Sequence, residues 1–313
     1  MKNGGISMVI NGIFDNKILL LLAGLGVLVS YPFVHQLFLA QKQPKLALFK
    51  SIENEDSVTN YVKEMNAQGS NLAQGLKEQL DIEFDIILQR LKEAFPLTPQ
   101  AWHDTLTEFK RLKENDRLFL GKPLKAVKKG TKDDVPSVKK ARELLVSYNI
   151  NPAVINFELI NDPNNASYAF AGQCVLNGKV EHYLRLNLAQ LPNQTPAIQE
   201  ALLRHEIMHL CNYDPLICDC IEKLFAHHGI SAKEFWGNDY FRALNKHMEY
   251  RADLMASVHD IATAKALMEG FQEHMKRYDD RVESKTHPSC KQRYAAVDNL
   301  VQYMKAEKNL ITA

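Results

Sequence analysis

The segment from Thr195 to Pro215 limits what this chain can fold into more than any other. Thr195-Pro196 reads as a helix cap and first turn, and Asp214-Pro215 marks where that helix stops. Between them Ile198 and Leu202 share a face with His205 and His209, while Leu203, Ile207 and Leu210 fall roughly opposite. A helix that is apolar on both sides is an interior helix. Two imidazoles on a buried face need partners, and a metal is the most economical one. The run His205-Glu206-Ile207-Met208-His209 has the right spacing, because helical residues four apart stand about 5–6 Å apart at Cβ on one face. Such a pair can grip a tetrahedral zinc, with Glu206 beside it as general base toward a bound water. The rest of the chain then has to enclose this helix and add a third ligand.

Downstream candidates are His227, His228, His247, Glu249, His259, Asp260, His274 and His287. Glu249 is the choice. It lies in a helix whose apolar face is Phe241, Leu244, Met248, Ala252 and Met255, and it shares the adjacent stripe with Asp253 and Ala256. Small Ala252 and Ala256 allow a close helix–helix approach. Asp253, one turn after Glu249, can reach the free ring nitrogen of a ligating histidine, which fixes the tautomer and raises ligand basicity. The competing reading leaves both acids as solvated helix residues.

Upstream, Ala153–Ile160, Ser167–Leu176 and Glu181–Asn187 read as strands, with Asn177-Gly178 as a hairpin turn. Tyr168, Ala169, Phe170, Ala171 and Gly172 form a candidate sheet edge for an extended substrate, with ordinary sheet core as the alternative. Before the sheet, Ser137 to Tyr148 reads as a short amphipathic helix. Residues 46–121 read as a helical subdomain. Ser57 and Ser70 are caps there. Leu72, Leu76, Leu80, Phe84, Ile87, Leu91 and Phe95 make one stripe ended by Pro96, and Thr98-Pro99 opens a helix bearing Trp102, Leu106, Phe109 and Leu112. These stripes suit packing against the following domain or contact with a partner. Residues 122–136, rich in lysine, read as a linker that could also touch anionic lipid.

Residues 1–45 contain the one long apolar run, 18–40, which reads as a membrane anchor. A cleaved signal peptide and a buried core helix are the alternatives; small residues do not stand at −1 and −3 of a suitable cut site. A net charge of +1 gives no global signature for nucleic acid, and five cysteines over 313 residues are too few for a disulfide scaffold. One disulfide remains open. The expected class is α+β, mainly helical, with a small sheet.

His205–His209, then Glu249-Tyr250-Arg251-Ala252-Asp253, then Thr286-His287-Pro288-Ser289 with Arg293 resemble, in that order, a known family. They are similar to the membrane-associated zinc metallopeptidases of the CAAX-prenyl-protease and HtpX type, which are gluzincins. The likeness spans roughly residues 137–300, and Asn165–Ala171 resembles the edge-strand segment of that family. It implies a zincin-like domain over 137–313 holding one zinc through His205, His209 and Glu249. Glu206 is then the base, Asp253 supports a ligand, and His287 and Arg293 stand near the site. His287 reads equally as a residue leading into a helix before Pro288, and Arg293 as a partner for a structural carboxylate. The implied activity is a zinc endopeptidase acting on a protein or peptide, with membrane-associated or misfolded proteins as expected substrates. No second apolar stretch of spanning length occurs, so a soluble catalytic domain on a single anchor is expected, with sidedness and oligomeric state left open. Two rivals stand: a regulatory peptidase cutting one partner, and a zinc-stabilised chaperone-like module. In the latter a Cys or His from 211–228 would close the metal's open position.

Overall fold

The computed structural model describes residues 72–95, 97–119, 135–165, 167–258, 260–277 and 287–311. The apolar run 18–40, the Ser57 and Ser70 caps, most of the lysine-rich segment, His259 and Thr286 lie outside them. The described chain is mainly helical with one three-stranded sheet, the α+β class expected. Among the described residues no helix is long and apolar enough to cross a membrane.

Helices α1 (Leu72–Ala94) and α2 (Pro99–Glu114) follow the stripes read above. Leu76, Leu80, Leu88 and Leu91 of α1 are buried, and Thr98 Oγ1 caps α2 by accepting from the Ala101 amide at 3.2 Å. Helix α3 (Pro136–Ser147) leads to β1 (Ile155–Ile160). Pro152 draws residues 152–154 into a 3₁₀ turn, so the strand begins two residues later than expected.

Strands β2 (Ala169–Leu176) and β3 (Lys179–Asn187) form the hairpin read from Asn177-Gly178. Both turn residues have positive φ, 50° and 72°, as the tight turn requires. The order is β1-β3-β2, with β1 parallel and β2 antiparallel to β3. The hairpin thus inserts β3 beside β1 and leaves β2 at an edge. The buried Asn187 carboxamide holds the β1–β2 loop. Its nitrogen donates to the carbonyls of Asp162, Asn165 and Ser167 at 2.9, 3.3 and 3.1 Å.

Helix α4 (Pro196–Asn212) carries the histidine pair and runs through the interior, with Ala201, Leu203, Ile207 and Leu210 fully buried. One face packs on the sheet and α3. The other meets α8 (Ile261–Arg277) and α9 (Cys290–Ile311) through Ala264, Leu267, Phe271 and Val297. Tyr213, in the left-handed region at φ 59°, turns the chain directly into α5 (Asp214–His227). Helices α6 (Ala232–Gly237) and α7 (Asp239–Ser257) follow. Helices α1 and α2 share a core with α5, α6 and α7 around Phe225, Trp102 and Phe241. They belong to one compact unit with the sheet and the histidine helix. The helical region therefore packs against the following domain, one of the two roles read for its stripes.

Candidate metal centre

Two helices build the centre. Ala252 and Ala256, both buried, let α7 lie close against α4 in the shared core. This brings Glu249 opposite the histidines. The Nε2 atoms of His205 and His209 are 3.1 Å apart, and the Glu249 carboxylate oxygens lie 3.5 and 3.4 Å from them. One donor atom from each of the three residues falls within 4.8 Å of the other two, and all three residues are buried.

Each imidazole is oriented from behind. His205 Nδ1 is 2.8 Å from Asp253 Oδ1, and His209 Nδ1 is 2.9 Å from Asp214 Oδ2. A carboxylate at Nδ1 places the proton there and leaves the Nε2 lone pair for a ligand. Each carboxylate is held in turn by an arginine. Arg293 donates from Nε and Nη2 to Asp253 at 2.7 Å each, and Arg251 donates to Asp214. Burial disfavours the ionised acids, but Arg293 and the two histidines outweigh it at Glu249, holding its carboxyl well below the usual range. The same opposition lowers Asp253, through Arg293 and His205, and Asp214, through Arg251 and His209. Burial would also lower the histidines, yet their carboxylate partners raise both. The centre is poised to keep its carboxylates charged and to attract a cation.

The residues fit a metal. Two Nε2 lone pairs at 3.1 Å repel one another unless a proton or cation lies between them. A tetrahedral zinc with bonds of about 2.0–2.1 Å has ligand–ligand edges of roughly 3.3–3.4 Å. The observed separations of 3.1, 3.4 and 3.5 Å bracket that edge.

The centre opens into a cavity of about 830 Å³ bounded by β2 on one side and by α5, α7, α8 and α9 on the others. Glu206 lines it, and its Oε2 accepts from the Ala171 amide of β2 at 2.7 Å. Two residue pairs along the same edge, the Val175 amide donates to Asp219 Oδ2 at 3.3 Å. Tyr168, Ala169, Phe170 and Ala171 all line the cavity. The strand itself starts at Ala169, so Tyr168, read as part of it, stands just before the strand with its side chain buried. Gly172 lies in the strand opposite Tyr183.

His287 sits at the cavity wall, its side chain half exposed and its Nε2 3.3 Å from Glu249 Oε1. Arg293 is nearer the metal group, with Nη1 3.0 Å from Glu249 Oε2. Both late-chain residues thus meet the centre, and the guanidinium is committed to two carboxylates.

The other described candidate ligands stand outside the metal group. His247 is fully buried but faces α1, hydrogen-bonded through Nε2 to the Leu80 carbonyl at 2.8 Å; burial pushes its pKa down to about 4. His227 and His228 are exposed, Asp260 caps the start of α8, and His274 lies 3.5 Å from Cys290 Sγ. Among the described residues no Cys or His from 211–228 joins the metal group. Burial pushes the thiols of Cys211 and Cys220 up to about 12 and 11, away from the thiolate form that binds metal. All five cysteines are thiols, so the disulfide left open by the sequence is not formed.

Asp214 and Arg251 are the contributors that sequence reasoning missed. In the sequence Asp214 signals only the end of a helix. Its position five residues after His209, just past a helix end, was the available signal. Set against protein-family models, curated proteins and solved structures, the chain matches none of them.

Proposed function

We propose that this chain is a zinc endopeptidase of the glutamate-ligand kind, similar to the CAAX-prenyl-protease and HtpX-type enzymes. One observation carries the reading: the buried His205–His209–Glu249 group, the Glu206 carboxylate and an edge strand all face one cavity. Zinc held by those three residues would polarise a peptide carbonyl and bring the pKa of a coordinated water toward ~7.

The chain's own groups do the rest. An extended peptide lies along β2 between Ala169 and Gln173, using the outward main-chain groups on either side of the Ala171 amide, which Glu206 already holds, so the grip does not depend on its sequence. Glu206, anchored on the Ala171 amide, stands beside the bound backbone. It takes the proton from the attacking water and passes it to the leaving amine. His287, on the cavity wall beside Glu249, donates to the developing oxyanion. Arg293 holds Glu249 and Asp253 in place. The apolar run 18–40 would keep the cleft near a membrane surface and its proteins.

The test is Glu206→Gln. Zinc content should stay at one equivalent while hydrolysis of casein or a peptide library falls by roughly 10²–10⁴-fold, the usual scale for a lost general base. A zinc-loaded Glu206→Gln protein that cleaves at the parental rate would overturn the assignment.

A further inference from the structure

The two ligand histidines are supported in the same way by residues from different origins. Behind His205 stands Asp253, from the ligand helix α7, held by Arg293 of α9. Behind His209 stands Asp214, from the first turn of α5, held by Arg251 of α7. The Tyr213 joint makes the second arrangement possible: with one left-handed residue between α4 and α5, the chain folds back and delivers Asp214 to the His209 ring.

The Arg251 side chain is itself buried, and its contacts lead to α1. Its Nη1 is 3.2 Å from Asp81 Oδ1, and its guanidinium lies over the Phe84 ring at 4.6 Å. His247, one turn before Arg251 on α7, donates to the Leu80 carbonyl of the same helix at 2.8 Å. A line of contacts therefore runs from α1 through Arg251 and Asp214 to Nδ1 of the His209 ring, whose Nε2 faces the metal position.

We propose that Asp214, clamped by Arg251 and through it by Asp81 of α1, is the positioning residue of His209 and sets how tightly the centre holds its metal. The inference rests on the metal-centre reading above. The carboxylate fixes the Nδ1–H tautomer and the angle of the ring, so that Nε2 points at the shared position before any ion arrives. Arg251 keeps the local charge in range. Glu249, Asp253 and Asp214 bring three negative charges, and Arg293 and Arg251 return two. Without Arg251, Asp214 would be a buried anion with His209 as its only partner, and nothing would hold its carboxylate in line with the ring. Asp81 and Phe84 hold the guanidinium from the other side. Docking of α1 is thereby coupled to metal affinity, although α1 contributes no ligand.

The experiment measures zinc affinity of the full chain by competition with a chromogenic chelator, and the visible spectrum of the cobalt-substituted protein. The proteins are the parent, Asp214→Asn and Asp81→Asn. Asp214→Asn should weaken zinc binding by roughly 10–100-fold and shift the cobalt bands, because the ligand field changes when the ring is released. Asp81→Asn, at a partly exposed position, should weaken zinc by a few-fold with the cobalt bands kept. A purely structural role would lower the melting temperature and leave the affinity and spectrum of the folded fraction unchanged, which overturns the proposal. Should Asp214→Asn not fold, Asp81→Asn decides: unchanged affinity overturns the α1 clamp, and weakened affinity supports it. A parent protein that takes up neither zinc nor cobalt overturns the metal-centre reading and this inference together. Metal uptake with identical affinities in all three overturns this inference alone.

Discussion

Gly172 is the position at which the packing of the edge strand can be tested most directly. It lies across the β2–β3 ladder from Tyr183. The tyrosine ring occupies the space where a Cβ would stand: an ideal Cβ on Gly172 meets Cζ at 1.9 Å, Cε2 at 2.1 Å and Oη at 2.3 Å. Ordinary contact begins near 3.4 Å, so Gly172→Ala must displace the ring by about 1.5 Å or more. Gly172 is not among the glycines with positive φ, which are Gly178 and Gly229. Alanine therefore fits the backbone, and the whole cost is steric. Overpacking of this kind costs about 1–3 kcal/mol. The ring is half-buried and can swing outward, which favours the lower half of that range, at the expense of its contact with Phe170. Removing the ring first should reverse the sign. In a Tyr183→Ala background those ring atoms are gone, and the added methyl restricts the unfolded chain, a gain of about 0.4–1 kcal/mol. The double-mutant cycle, read from urea midpoints at constant m-value, should give a coupling of about 2 kcal/mol. If the two substitutions add to within about 0.5 kcal/mol, the account of Tyr183 as the group excluding a side chain at 172 is refuted.

Two further outcomes concern stability away from the metal. Glu83 of α1 is a buried acid whose desolvation, only partly offset by a hydrogen bond from Gln79, raises its pKa to about 7. Between its unfolded value and 7 the folded state holds a proton that the unfolded state releases, so stability falls as pH rises through that window. The loss is on the order of 3 kcal/mol by pH 8, and Glu83→Gln should flatten the decline in urea melts taken from pH 5 to pH 8; an unchanged slope would show the acid to be solvated. Phe225, fully buried, packs against Phe95, Trp102, Phe235 and Phe241, with ring centroids 4.4 to 6.2 Å away. Phe225→Ala should cost about 3–5 kcal/mol in the same measurement, and a loss under about 1 kcal/mol would mean that the α1–α2 helices do not share this core.

Local pattern was enough for the elements. The stripe from Leu72 to Phe95, the Thr98-Pro99 and Thr195-Pro196 starts and the Asn177-Gly178 turn each rest on neighbours within a few residues, and each appears where the pattern puts it. The same holds for Glu249 and Asp253, whose four-residue spacing brings one to the metal position and the other to His205 Nδ1. What pattern could not carry was pairing between distant segments. Nothing in Ile155–Ile160 says that it lies parallel to β3, yet that pairing is what leaves β2 at the edge. Asp214 shows the same limit. Beside a proline it signals the end of a helix, and its role at His209 depends on the left-handed Tyr213 corner and on an arginine 37 residues later. Tyr168 differs for a local reason: the loop before β2 is drawn toward Asn187, so the strand starts one residue after it.

The edge of β2 also bears on whether copies of this chain adhere to one another. An open strand edge is a template for any other strand, including the same one from a second molecule. Here two outward amides, those of Ala171 and Val175, already donate to the carboxylates of Glu206 and Asp219. A neighbouring sheet zipping along this edge would have to displace both acids and bury their charges between the strands, which is costly without partners. The open stretch between them is too short to nucleate a second sheet. The open edge of β2 can thus stay accessible in concentrated solution without seeding aggregation.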